Sequence, residues 1–127
     1  MGVPLNVYND YPLVKQPRRA LSADLVLVSE QGVELALEFK YEPAHARKDI
    51  LANKLPVVAW GPEGVAKDVE RIHSFVENGD AKKACSYFID EGGFFRGRKN
   101  VPAGAAWSAW GRNCHVLIAT AGEPDRA

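Results

Sequence analysis

The ten residues Val33-Glu-Leu-Ala-Leu-Glu-Phe-Lys-Tyr-Glu42 constrain this chain more than any others, because Leu35, Leu37, Phe39 and Tyr41 alternate with Glu34, Ala36, Glu38, Lys40 and Glu42. A period of two is that of a strand, with odd positions expected to face a core and even positions something polar. Just upstream, Ala23-Asp-Leu-Val-Leu-Val-Ser29 is a second β-rich run, and Glu30-Gln31-Gly32 joins the two. A three-residue hairpin loop closing on glycine suits that connection: a type I turn followed by a left-handed residue. The register then sets Ser29 opposite Val33, Leu27 opposite Leu35 and Leu25 opposite Leu37 on the expected core face. Val28 meets Glu34, Val26 meets Ala36, and Asp24 meets Glu38 on the other. A two-residue loop at Gln31-Gly32 would pair Leu25 with Glu38 and mix apolar and charged groups on both faces, which a sheet with one buried face does not tolerate.

Two carboxylates facing each other across a ladder repel, with β-carbons about 5 Å apart, so something positive belongs between them. Lys40 is two residues past Glu38 on the same strand face, and a divalent cation would satisfy both acids more completely. An acid on one strand and a Glu-x-Lys on its hairpin partner, here Ala23-Asp24 and Glu38-Phe39-Lys40, resemble the PD-(D/E)xK nucleases, the restriction-endonuclease-like superfamily. The resemblance implies that Asp24, Glu38 and Lys40 are catalytic. By the same resemblance Asp24, Glu38 and the Phe39 backbone carbonyl hold Mg2+ or Mn2+, and Lys40 orients or activates the attacking water. It also implies a nucleic acid partner, DNA ahead of RNA, and a homodimer where both strands are cut. Ala23 stands in place of the signature's proline. The helix that usually precedes the first strand is expected to be missing or to belong to a longer parent, since the chain enters strand-like Leu5-Asn-Val-Tyr8 almost at once.

At 127 residues the chain is expected to form a single domain over 1–127, or the nuclease-like part of a longer protein. No apolar run is long enough for a membrane span, and no basic-then-apolar leader opens the sequence, so a cytoplasmic location is the expectation. Cys85 and Cys114 form neither a CxxC pair nor a disulfide framework, and His45, His73 and His115 lack metal-ligand spacing. Sixteen acids balance sixteen Lys and Arg, which removes the whole-chain electrostatic case for nucleic acid. Their distribution is uneven: residues 20–46 hold Asp24, Glu30, Glu34, Glu38 and Glu42 against Lys40 alone, whereas 92–122 hold Arg96, Arg98, Lys99 and Arg112 and no acid. A basic segment attracts phosphates and also serves as an ordinary solvated loop. Arg96, Arg98 and Lys99, and Arg18 and Arg19 ahead of Asp24, are therefore candidate nucleic-acid contacts. Trp107 and Trp110, in a Gly/Ala-rich stretch, suit either base stacking or core packing.

The remaining pattern predicts an α/β fold with a mixed β-sheet, and the resemblance implies that its core is restriction-endonuclease-like. A first strand runs over Val3–Tyr8, with the proline-containing 11–19 as its connection. The hairpin spans about residues 23–42, and a short proline-started helix falls at 43–54. A longer helix covers about 64–78, with Val65, Val69, Ile72 and Val76 inward and Lys67, Asp68, Glu70 and Arg71 in solvent. Strands follow at about 84–90 and 115–120. Two other readings of the same hairpin stand beside the nuclease. One is a non-catalytic nucleic-acid- or protein-binding domain in which Lys40 neutralises Asp24 and Glu38. The other is a plain solvent-facing hairpin.

Overall fold

The computed structural model describes residues 5–12, 22–44 and 58–122, and Arg18, Arg19 and most of the 43–54 segment lie outside them. The described chain runs β1 (Asn6–Pro12), β2 (Ser22–Ser29), β3 (Gly32–Glu42), α1 (Val65–Glu77), β4 (Lys83–Asp90), β5 (Ala105–Gly111) and β6 (Cys114–Ala121). The strands form one six-stranded sheet in the order β1-β2-β3-β4-β6-β5. Strands β3 and β4 are parallel, with α1 as their crossover, and every other neighbouring pair is antiparallel. The first strand is displaced from Val3–Tyr8 to Asn6–Pro12: Tyr11 and Pro12, assigned from sequence to the connection, belong to the sheet. Proline is admissible there because β1 is an edge strand.

The hairpin keeps the expected register over its middle, where Leu25 pairs with Leu37, Val26 with Ala36 and Leu27 with Leu35, but the expected pairing of Asp24 with Glu38 is not part of the ladder. Its tip differs by one step. Ser29 pairs with Gly32 and Val28 with Val33, and a bulge beside Val28 absorbs the extra residue. Gly32 has φ of 110°, the left-handed geometry that closes a type I turn. Lys82 clamps the tip from outside: its Nζ donates to Gln31 Oε1 at 3.0 Å and to Glu34 Oε1 at 2.8 Å, and its backbone N–H reaches Val33 O.

The faces of β3 are reversed from the sequence expectation. Ala36 and Glu38 lie buried beneath α1, whereas Leu35, Leu37 and Tyr41 are half-buried and Phe39 is 46% exposed on the other side. Helix thickness explains it. Val69, Ile72 and Phe75 of α1 need room, and Ala36, Ala84 and Ala121, neighbours across three strands, provide a flat, small-residue floor. The larger side chains are left for the opposite face, where Phe39 stacks on Tyr87 with centroids 5.8 Å apart. At the N-terminus of α1, Gly64 is required by close approach: a β-carbon there would sit 1.9 Å from the Ala59 carbonyl oxygen. That same oxygen accepts the Val65 N–H at 2.8 Å.

A second cluster, of Val65, Phe88, Phe95 and Leu117 with Trp60 and Trp107 packed on it, fills the region beyond the helix start. Strand β5 contributes Trp107 to it, so the Gly/Ala-rich stretch is a strand that sequence reasoning missed. Among the described residues no helix is long and apolar enough to cross a membrane.

Candidate functional site

Strand β2 stops pairing with β3 after Leu25–Leu37, and the split between the two strands makes the site. Asp24 sits at the split. Its Oδ2 accepts the Phe39 backbone N–H at 2.7 Å, a donor that an uninterrupted ladder would have used. Glu38, the adjacent residue on β3, is only 5% exposed, and the Asp24 carboxyl lies close enough to act on its titration. Burial pushes Glu38 up to about 8; Arg71 opposes the shift, and the negative charges of Asp24 and Asp68 add to it. At neutral pH, then, Glu38 is largely protonated. Glu38 Oε1 is buried and has no hydrogen-bond partner.

Helix α1 closes the site from above and corrects a second expectation. Asp68 and Arg71 do not point to solvent. Asp68 is buried, as are its helix neighbours Val65, Val69 and Ile72. Its Oδ2 lies 3.2 Å from Lys40 Nζ. One turn on, Arg71 Nη2 comes within 3.6 Å of Glu38 Oε1, a separation beyond a good hydrogen bond. The strand's base therefore pairs with the helix's acid, and the helix's base faces the strand's acid. The helical period alone could have found these two, since 68 lies three residues after Val65 and four before Ile72, and 71 lies four before Phe75.

The basic residues after β4 are organised by an acid that sequence reasoning also missed. Asp90 is fully buried and accepts three backbone N–H groups: Phe94 at 3.0 Å, Phe95 at 2.7 Å and Arg96 at 3.1 Å. It thereby folds the loop that carries Arg96, Arg98 and Lys99 in exposed positions. Arg96 lies over the Trp107 ring and Arg98 over Phe95, with 5.9 and 5.1 Å to the centroids. Trp60 stacks on both Phe95 and Trp107 and donates its indole N–H to Lys99 O at 2.8 Å. Trp107 is thus a packing residue with a guanidinium beside it, whereas Trp110 is 59% exposed. Lys40 and Trp107 share one face, in the row Lys40, Phe88, Leu117, Trp107. At about 4.8 Å per strand, Trp107, with Arg96 over its ring, stands roughly 14 Å across the sheet from Lys40.

Asp24, Glu38 and Lys40 are thus brought together, Arg96, Arg98 and Lys99 are exposed on a separate loop, and Arg18 and Arg19 lie outside the described residues. Among the described residues no three His, Cys, Asp or Glu side chains cluster as a ready metal cage. Cys85 and Cys114 are free thiols. Comparison of the chain with protein-family models, with curated proteins and with solved structures finds no match.

Proposed function

We propose that this domain hydrolyses phosphodiester bonds of nucleic acid with the help of a divalent cation, on a restriction-endonuclease-like scaffold. The observation that carries the proposal is the acid pair at the strand split: Asp24 is anchored on the Phe39 N–H beside Glu38, Glu38 has a buried oxygen without a hydrogen-bond partner, and a lysine extends from the same strand face. An orphaned buried acceptor beside a second carboxyl fits a hard cation, which binds oxygen donors. The Asp24 and Glu38 carboxylates would hold the ion, with the Phe39 carbonyl as a main-chain donor. Bound there, Mg2+ or Mn2+ would stabilise the charge developing on the attacking and leaving oxygens.

The chain's own residues do the rest. Glu38 must surrender its proton to become a ligand, and Asp24 is fixed by the Phe39 N–H so that its other oxygen stays available. Lys40 places a positive hydrogen-bond donor beside the attacking water, whose oxygen bonds to phosphorus as the bond to the leaving sugar oxygen breaks. The water's proton passes to solvent. Arg96, Arg98 and Lys99 would hold phosphates farther along the strand, DNA being the expected polymer.

The test is nicking of supercoiled plasmid and of a labelled single strand, in Mg2+ or Mn2+ with a chelator control. Lys40→Ala should lose ~100-fold or more of the cleavage rate. A second reading, a non-catalytic binding domain, is favoured by the internal pairing of Lys40 with Asp68 and of Arg71 with Glu38. Salt-sensitive nucleic acid binding without cleavage at any metal concentration would select it.

A further inference from the structure

We propose that Asp68 of α1 is the positioning residue of the site and acts through Lys40, an inference that rests on the hydrolytic role given to Lys40 above. Asp68 occupies a place on the helix that packing alone would give to an apolar side chain. It is buried between Val65 and Ile72 on the stripe that faces the sheet, yet carries a charge. A buried carboxylate is retained at such a place only when it is paired. Its partner is the Lys40 ammonium at 3.2 Å, where the two side chains retain 29% and 13% of their exposure.

Lysine reaches its target through four flexible methylenes and has no planar fork to orient it, so one fixed counter-charge decides where its ammonium rests. Asp68 supplies that counter-charge from a rigid helix rather than from a loop. Three residues on, Arg71 faces Glu38, so Lys40 and Glu38 each meet a partner of their own on α1. Lys40 is held toward the helix, and the acid pair of Asp24 and Glu38 is left for a cation. Asp68 itself is not a third ligand in this geometry, since no three acids among the described residues stand close enough to share an ion, and its Oδ2 is already paired with the Lys40 ammonium.

The experiment compares wild type, Asp68→Asn and Asp68→Glu by two readouts. The first needs no activity: trace labelling with acetic anhydride, with the Lys40 acylation rate read by mass spectrometry against the exposed Lys67 as internal reference. Lys40 should react roughly fivefold more slowly than Lys67 in the wild type, lose that protection in Asp68→Asn, and regain part of it in Asp68→Glu, on the scale of a partly exposed ion pair. The second is cleavage and Mn2+ binding. Asp68→Asn should lower the cleavage rate ~10- to 100-fold, as loss of an outer partner does, while binding Mn2+ within about tenfold of the wild type.

Equal acylation of Lys40 in wild type and Asp68→Asn would overturn the proposal. So would loss of Mn2+ binding in Asp68→Asn as complete as that in Glu38→Gln, which would make Asp68 a ligand. Should Asp68→Asn not fold, the wild-type Lys40 to Lys67 ratio and the partial protection in Asp68→Glu still decide. A wild type that protects Lys40 but cleaves nothing upholds the positioning and removes the hydrolytic function.

Discussion

Replacement of Glu38 by glutamine should make the protein more stable in mild alkali, an unusual outcome for a buried residue at a candidate active site. In the unfolded chain Glu38 titrates near 4.5, and in the folded protein burial raises it to about 8. Between those values the folded state binds a proton that the unfolded state has released, so stability falls as pH rises. The stabilisation is fully present below pH 4.5 and lost by the time pH has passed 8. Each pH unit in the window removes about 1.4 kcal/mol, on the order of 5 kcal/mol over the whole. That is a large part of the 5 to 15 kcal/mol typical of a domain. Glutamine has nearly the shape of the protonated acid and does not titrate. Urea denaturation of wild type and Glu38→Gln at pH 5, 6, 7, 8 and 9 should give midpoints that nearly agree at pH 5. By pH 9 they should have separated by about 1.3 to 4 M in favour of the variant, given about 4 kcal/mol lost over that range and slopes of about 1 to 3 kcal/mol per molar. Parallel curves would mean that Glu38 is ionised in the folded state at neutral pH and that the description of the acid pair is wrong.

Two further substitutions test the frame around the site. Gly32→Ala should lower stability by about 1 kcal/mol through its backbone alone, because an added β-carbon meets nothing within 4 Å while φ stays at 110°; an unchanged urea midpoint would contradict the turn. Asp90→Asn replaces a carboxylate that accepts three N–H groups by an amide that brings donors of its own. It should cost about 2 to 4 kcal/mol and alter the fluorescence of Trp60 and Trp107 as the loop loosens; a loss under about 0.5 kcal/mol would show that the loop does not depend on it.

What the sequence made legible follows from which interactions are local. The β2–β3 register was readable because a short turn and an alternating pattern fix it, and α1 because its apolar stripe repeats at 3.6 residues. The face of β3 beneath the helix was not. Period-two alternation tells two faces apart without saying which one is covered, and the usual assumption that the larger side chains are buried fails where a helix needs a floor of alanines at 36, 84 and 121. Strand β5 was missed for a related reason: Ala105-Ala-Trp-Ser-Ala-Trp-Gly111 has little strand propensity of its own and is held by its ladder with β6. The proximity of Asp24, Glu38 and Lys40 was readable because two of them share a strand and the third lies across a hairpin. Asp68 and Arg71 reach the same site through the crossover, and Asp90 acts on backbone groups, so no short motif marks any of the three.

The central claim, that Asp24 and Glu38 together form a cation site now closed by a proton, is tested most directly by calorimetric titration of Mn2+ into the protein at pH 7 in two buffers of different ionisation enthalpy. With Glu38 at about 8, binding should release about one proton per ion, and Glu38→Gln should abolish both the heat and the release. Binding of equal strength in Glu38→Gln, or binding by the wild type with no proton released, would contradict the account.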